Sequence, residues 1–305
     1  MPYLESHTVL ATDDLDEARA FLSTLTVPHK FDVSGENAAL SVKAAVASFG
    51  DLRLIHFGFG DVRIRVRSGE EPGDGLLFYV VTEGMGGFRY GGADTSFSVK
   101  RGVIRDLSRP IDVMEENLSA FALPLSKERL RQHAFAMTGT KAGMAPVKFD
   151  LSIDMAAPGG RQFRNTLQFV ANALEGPLRE LDNPLLTRQM EEMLLTQVLT
   201  LLPNNLSDAM TDSAMRGALP YHVKRARDHI HAHAHETIGV AEIAAAARCG
   251  YRTVQNAFND AYGMSPMAYL RLIRLNRVRS ALLAGDPELG TIAEIARSWG
   301  FGHMG

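Results

Sequence analysis

A stripe of apolar residues recurs at helical spacing near the start of the chain. Asp14 precedes this stripe, and Glu17 stands three residues later, which is the spacing of a capping box. The pattern predicts a helix that begins after Asp14. Its apolar face consists of Leu15, Ala18, Phe21, Leu22 and Leu25.

From about residue 51 to 115 the apolar period becomes that of strands. Val62, Ile64 and Val66 alternate with arginines, as in a strand with one buried face. Many short strands separated by glycine-rich turns predict a small barrel or sandwich. The other predicted strands are residues 76–82, 88–90, 97–99 and 103–104, and the predicted turn glycines are 84, 86, 87, 91 and 92.

Helical patterns return from residue 126 onward. Ser126 precedes a first helix, and residues 160–174 form a second. Asn183 precedes a third, which has Pro184 in its first turn and is predicted to end at Leu202.

The third of these helices also predicts self-association. Its apolar residues cover more than one narrow face, which suits a helix that packs on its own domain and on a second copy of the chain. Met190 and Gln197 are expected to be exposed on it, and the chain is expected to form a homodimer. Residues 203–220 contain proline, asparagine, serine, aspartate and glycine. This composition predicts an interdomain linker over 206–220.

The end of the chain contains an internal repeat. A shift of 52 residues places Val240–Ala244 over Ile292–Ala296, and nine of the 31 compared positions in 223–253 and 275–305 are identical. Each copy is predicted to contain a helix, a loop, a short alanine-rich helix and a tight turn. In the first copy another helix follows after about three residues, which is the length of a helix-turn-helix link.

The last helix of the first copy has two different faces. Val254, Ala257, Phe258 and Ala261 form its predicted inner face. The other face carries side chains whose chemistry suits base edges in DNA, since Arg pairs with guanine and Asn or Gln with adenine. A solvated polar helix face is the alternative. The predicted DNA-binding residues are Arg252, Thr253, Gln255, Asn256 and Asn259.

Charge and cysteine content add to this interpretation. The net charge of the 305 residues is −3, yet residues 221–305 carry ten basic and seven acidic side chains. A basic tail fits nucleic-acid binding, although an excess of three charges also arises by chance. The chain has a single cysteine, no N-terminal segment in which basic residues precede apolar ones, and no long apolar run. These features predict a cytoplasmic protein that is not bound to a membrane.

In this tail the chain resembles the AraC/XylS family of transcription regulators. The similar segments, in order, are Ile230–His233, Val240–Ala247, Thr253–Phe258, Gly263–Pro266, Tyr269–Leu270, Arg274–Leu275 and Trp299–His303. Two segments of the front half, Asp14–Arg19 and Glu191–Leu195, resemble the effector domain of the same family.

The resemblance implies an α+β protein, with a cupin-like β-barrel and flanking helices followed by an all-α double helix-turn-helix domain. The expected domains are 1–205 for effector sensing and dimerisation and 221–305 for DNA binding. The implied partners are double-stranded DNA, a small-molecule effector and RNA polymerase, and the implied function is that of an activator.

Three features depart from the family pattern. Gly239 and Gly250 occupy helix N-cap positions where Ser or Thr is more usual. Arg248 occupies a turn position that usually holds glycine and needs a positive φ. In the 52-residue repeat, positions 307 and 308 would correspond to Gln255 and Asn256, but the sequence has 305 residues. The second unit is therefore expected to be truncated. A dimerising sensor impaired in DNA binding is therefore an alternative function.

The front domain offers candidate effector contacts. Arg65, Tyr79, Arg89 and Tyr90 lie on predicted strands and are candidate polar anchors inside the barrel, although ordinary surface or packing roles are the alternative for each.

Other chemistry is weakly indicated. Histidines 229, 231, 233 and 235 suggest a metal site, but on a helix they split into two faces without a third ligand, so no metal is expected. No catalytic motif and no cofactor motif is found, and a barrel enzyme is the disfavoured rival.

Overall fold

The structure is a computed structural model that describes residues 3–25, 29–34, 40–68, 73–90, 93–138, 143, 145–176, 183–215, 220–284 and 290–301. Its contacts divide the chain into two units. The first consists of residues 1–133 and 146–207, and the second of 134–145 and 208–305. Among the described residues, no helix is both long enough and apolar enough to cross a bilayer.

One antiparallel sheet of ten strands builds the first unit. The strands are β1 (Thr8–Thr12), β2 (His29–Ser34), β3 (Val42–Phe49), β4 (Leu52–Gly58), β5 (Arg63–Ser68), β6 (Gly75–Tyr90), β7 (Ala93–Ser98), β8 (Arg101–Asp106), β9 (Asp112–Ser126) and β10 (Ser152–Asp154). The main path is β1-β3-β4-β9-β6-β7-β8-β10, with β5 on β9 and β2 on β5. The described pairings do not join the two ends of this path, so closure into a barrel stays a prediction.

Ten α-helices accompany the sheet within the described ranges. They are α1 (Leu15–Leu22), α2 (Lys127–Thr138), α3 (Pro158–Glu175), α4 (Pro184–Leu201), α5 (Ser207–Met215), α6 (Tyr221–Ala232), α7 (Val240–Ala247), α8 (Tyr251–Tyr262), α9 (Pro266–Ala284) and α10 (Ile292–Ser298), and a short 3-10 turn, Glu5–His7, precedes β1. A sheet-rich first unit and a helical second unit confirm the predicted α+β class.

The predicted helix caps at Asp14 and Asn183 are confirmed. Asp14 accepts hydrogen bonds from the backbone N–H groups of Asp16 and Glu17, and Asn183 accepts from those of Leu185 and Leu186. These acceptors satisfy donors that have no partner inside the helix.

The predicted turn at residues 84–87 is wrong, because this segment continues the long strand β6. Gly84 has a φ of 77°, and a Cβ atom there would lie 2.2 Å from the Asn117 carbonyl oxygen. At Gly86 a Cβ would lie 2.3 Å from the Phe97 ring. The glycines therefore permit a bulged strand and close packing instead of a chain reversal.

Two apolar layers stabilise the first unit. The inner face of the sheet and α1 share one cluster, which includes Phe31, Ile64 and Tyr79. The opposite face meets helices, since the Phe78 and Phe163 rings are 6.2 Å apart. Glu191 of α4 is buried there, pairs with Arg129 and accepts a 3.0 Å hydrogen bond from the Asp51 backbone N–H.

The prediction of exposed residues at Met190 and Gln197 is wrong. Only 8% of Met190 is exposed, and Gln197 Oε1 accepts a 2.6 Å hydrogen bond from the Thr166 hydroxyl. The apolar residues of α4 are therefore largely used within its own unit. The segment predicted as a linker includes a helix, α5, so it is not irregular throughout.

A second apolar cluster holds the helical unit together. Val223, Ile230, Ile243 and Phe258 are fully buried in it, as the sequence pattern predicts. Arg274 of α9 adds three hydrogen bonds to backbone carbonyls. It donates to Ala234 at 2.8 Å, Glu236 at 2.6 Å and Gly300 at 3.1 Å, and so ties the loop after α6 to the turn after α10.

Candidate functional site

Helices α7 and α8 form the helix-turn-helix that the repeat predicts. The two helices are joined by Arg248, Cys249 and Gly250. Ala244 and Ala247 are buried on α7, and their small side chains let α8 cross it closely. The turn therefore presents α8 at the surface of the unit.

The turn residue Arg248 adopts the left-handed conformation expected from its position. Its φ is 53° and its ψ is 42°, and its N–H donates to the carbonyls of Ala244 and Ala245. Such a conformation costs a non-glycine residue about 1–3 kcal/mol. Gly300, the partner of Arg248 in the 52-residue repeat, has a φ of 78°. The two copies thus share a turn geometry, and only the second has glycine there.

The helix starts of the two copies also correspond. Glu242 Oε2 accepts a 3.0 Å hydrogen bond from the Gly239 N–H, and Glu294 Oε2 accepts one of 2.7 Å from the Thr291 N–H. Thr291 completes its capping box by accepting from the Glu294 N–H, whereas Gly239 has no side chain to do so. The first copy therefore has only half of the box.

Helix α8 has one buried and one exposed face. Val254 and Phe258 are fully buried, and Tyr262 is 5% exposed. Of the predicted DNA-binding residues, Gln255 is half-buried and the other four are exposed, namely Arg252, Thr253, Asn256 and Asn259. The structure brings these five residues together on one helix, and their contact with DNA remains a prediction.

Sequence reasoning missed an aromatic residue on the same helix. Tyr251 is the first residue of α8 and is 51% exposed. The sequence holds no signal for its exposure, because helical spacing places Tyr251 on the same stripe as buried Val254 and Phe258.

The four histidines considered as a metal site make different contacts. His231 Nε2 lies 3.2 Å from the Tyr269 hydroxyl, and burial lowers the pKa of His231 to about 4. His233 pairs with Glu236 at 2.9 Å, and His235 packs against Trp299. Within the described part of the chain, no group of three or more His, Cys, Asp or Glu side chains has an arrangement that could hold a metal ion.

The first unit contains a cavity on the inner face of its sheet. Its volume is about 60 Å³. Leu22, Phe57, Phe59 and Leu77 supply apolar walls, Tyr79, Arg105 and Glu115 supply polar groups, and His29 of β2 also belongs to the lining. Strand alternation explains why these polar side chains point to the inner face. Arg105 lies on the same face of β8 as buried Val103 and Leu107, and Glu115 lies on the same face of β9 as buried Val113.

Burial governs the ionisation of these three side chains. Burial raises the pKa of Glu115 to about 7, and the charge of Arg105 and a hydrogen bond from Tyr79 oppose the rise. The Tyr79 hydroxyl is 3.4 Å from Glu115 Oε1, and burial raises the pKa of Tyr79. Burial also lowers the pKa of Arg105. Glu115 is therefore largely protonated below pH 7.

The four predicted effector contacts are not brought together. Tyr79 lines the cavity, but Arg65 is exposed and its Nε donates to Asp112 Oδ1 at 2.7 Å. Arg89 is exposed and pairs with Asp94. Tyr90 ends β6, and its side chain lies outside the described residues. The strand phase points Arg65 away from the buried Ile64 and Val66.

Arg105 and Glu115 were missed by the sequence reasoning. The strand pattern was recognised only at residues 103–104, and β9 was not recognised at all. Extending the alternation from Val103 through Arg105 to Leu107 was the signal that could have found the arginine.

Two family models match the chain. An AraC-binding-like domain matches residues 18–200, and a helix-turn-helix domain matches residues 243–305. Among curated proteins, the chain is 27% identical over 308 residues to a probable thc operon regulatory protein of Rhodococcus erythropolis. That match covers 96% of this chain and 88% of the relative.

Solved structures give weaker likenesses. The AraC-like transcriptional activator CuxR has a TM-score of 0.48 at 14% identity, covering 95% of this chain and 99% of its own. A ligand-free single-residue variant of ToxT from Vibrio cholerae has a TM-score of 0.31 at 9% identity, covering 88% and 91%. Both scores lie below 0.5, so the family assignment rests on the domain matches. The chain belongs to the AraC family of transcription regulators, with an AraC-binding-like domain followed by a helix-turn-helix domain.

Proposed function

We propose that this protein is a ligand-responsive, sequence-specific DNA-binding regulator that activates transcription by contacting RNA polymerase. The observation that carries the proposal is the division of α8 into a buried apolar face and an exposed polar face. Arg252, Asn256 and Asn259 are exposed there, while Val254 and Phe258 anchor the helix from behind.

The chemistry of the exposed face suits the major groove. A guanidinium donates two hydrogen bonds to the O6 and N7 atoms of guanine, and a carboxamide both donates to and accepts from adenine. A helix of twelve residues is about 18 Å long and fits in a groove about 12 Å wide. Anchoring by Phe258 holds the backbone of α8 while these side chains select a sequence.

Alanine at Arg252 or Asn256 should weaken binding to the cognate site by about 1–3 kcal/mol for each change, because each residue loses its hydrogen bonds to a base edge. A site is first selected from random duplexes with the full chain. Binding of the variants is then measured on that site and on a scrambled duplex at one fixed salt concentration, since affinity depends steeply on salt.

Arg53→Ala is the matched control for charge, since Arg53 is exposed and belongs to the first unit. It should leave binding to both duplexes unchanged. Equal losses on the cognate and scrambled duplexes for Arg252→Ala and Asn256→Ala would reduce these residues to general electrostatic contacts and would contradict base recognition.

We also propose that the protein acts as a homodimer through α3 and α4. Large apolar side chains support this, since Leu185 is 64% exposed and Phe169 is 57% exposed. Leu185→Glu should convert dimers to monomers in sedimentation at about 10 µM, because it places a charge in an apolar contact. Gln189→Glu adds the same charge without removing an apolar side chain and should have a much smaller effect. A wild-type chain that is monomeric in this experiment would refute the dimer.

A further inference from the structure

The cavity of the first unit contains an arginine that has no partner among the described residues. The Arg105 side chain forms neither a hydrogen bond nor an ion pair with any residue that the structure describes, and its Nε atom is buried from water. Burying an unpaired charge is costly, so such groups are normally paired or bound to a ligand.

The neighbouring acid balances this charge only in part at neutral pH. Burial raises the pKa of Glu115 to about 7, so the carboxyl group keeps its proton over most of the range below that value. A protonated carboxyl group is a hydrogen-bond donor as well as an acceptor. The polar end of the cavity thus offers a cation, a phenol and a neutral acid, all of which can donate to an anion.

The rest of the cavity is apolar and partly aromatic. Phe57 and Phe59 pack edge to face at 5.5 Å, and Phe57 lies 5.6 Å from the Tyr79 ring. Leu22 of α1 closes another wall. These surfaces bind hydrocarbon or flat rings, and they give no hydrogen bonds to a sugar or another polyhydroxylated ligand.

We propose that this cavity binds a compact organic carboxylate, with Arg105 holding the anion and the aromatic wall holding the hydrocarbon part. Arg105 suits this role, because a guanidinium binds a carboxylate through two parallel hydrogen bonds. Tyr79 and Glu115 supply further donors to the same group. The inference rests on the effector-sensing part of the proposed function and names the chemical class of its ligand.

The size of the cavity limits the ligand. A volume of about 60 Å³ holds only a few water molecules, whereas sites for drug-sized ligands measure about 300–1,000 Å³. The bound acid is therefore small, and a single ring or a short chain fits only when a lining side chain such as that of Leu22 shifts.

The experiment compares acids with their neutral amides on the full chain. Benzoate and hexanoate at about 10 mM should raise the unfolding temperature of the first unit by about 3 °C, and benzamide and hexanamide should not. Isothermal calorimetry with benzoate should show at least about tenfold weaker binding to Arg105→Met, because charge-assisted hydrogen bonds are lost. Circular dichroism checks that the variant is folded.

Arg63→Met is the matched control, since Arg63 is exposed on β5 and pairs with Glu116. It should bind benzoate like the wild type. Equal binding of acids and amides, binding by neither, or wild-type affinity in Arg105→Met would overturn the inference. If the wild type still selects a DNA sequence while no acid binds, this inference fails and the DNA-binding function stands. If the wild type binds carboxylates but selects no DNA sequence, this inference stands and the DNA-binding function fails.

Discussion

Replacing Phe258 by alanine should cost the helical unit about 3–5 kcal/mol of unfolding free energy, since a fully buried aromatic ring is removed. The Phe258 ring lies 5.0 Å from Tyr262 and 5.6 Å from Tyr269, measured between centroids, so each of these two tyrosines loses an aromatic contact. A loss of this size is comparable with the whole stability of many small domains.

Urea unfolding followed by tryptophan fluorescence measures this cost, because Trp299 is the only tryptophan and belongs to the helical unit. Asn259→Ala is the control on the next residue of the same helix, where the side chain is exposed, and should change stability by less than about 0.5 kcal/mol. A loss below about 1 kcal/mol for Phe258→Ala would show that Phe258 is not the anchor of α8.

Replacing Glu115 by glutamine should remove a pH-dependent loss of stability from the first unit. The unfolded carboxyl group has a pKa near 4.5, and burial raises the folded value to about 7. Between these values the unfolded chain releases a proton that the folded chain keeps, so stability falls as the pH rises through this window. The loss is complete above pH 7 and amounts to about 3 kcal/mol at most.

The glutamine variant should therefore match the wild type near pH 4 and exceed it most near pH 8. Urea unfolding is followed by far-ultraviolet circular dichroism and by tryptophan fluorescence. The transition that appears in circular dichroism but not in fluorescence belongs to the first unit. Glu116→Gln is the matched control, since Glu116 is the next residue on β9 and is exposed. A stability gain that is equal at pH 4 and pH 8 would show that Glu115 is not held protonated by burial.

The helical unit was more predictable from the sequence than the sheet. Helices α6 to α9 carry their apolar residues at local spacing, so Val223, Ile230 and Phe258 could be assigned to a core without knowing the fold. The repeat added independent support, since Glu242 and Glu294 perform the same capping role in each copy. Local periodicity therefore determined both the elements and the candidate DNA-binding face.

The sheet depends on pairings between distant residues, which a single sequence does not display. Strand β9 pairs with β4, β5 and β6, and its burial follows from those neighbours rather than from a regular alternation. Glycines in β6 were interpreted as turns because the close approach of Phe97 at Gly86 was not visible. For the same reason, Arg105 and Glu115 were missed while Tyr79 was found.

Among the described strands β2 pairs only with β5, and α1 lies along it, since Arg19 Nε donates to the Phe31 carbonyl and the Ser23 hydroxyl donates to the His29 carbonyl. Asp32 of β2 binds both Arg19 of α1 and Arg67 of β5, so charged side chains lie beside this edge. An uncovered strand edge is a template on which other chains can add and aggregate, and a covering helix and edge charges oppose such growth. The ion pairs of β2 contribute little to folding at the surface. Their larger consequence, together with the α1 contacts, is to oppose the pairing of another chain with this edge.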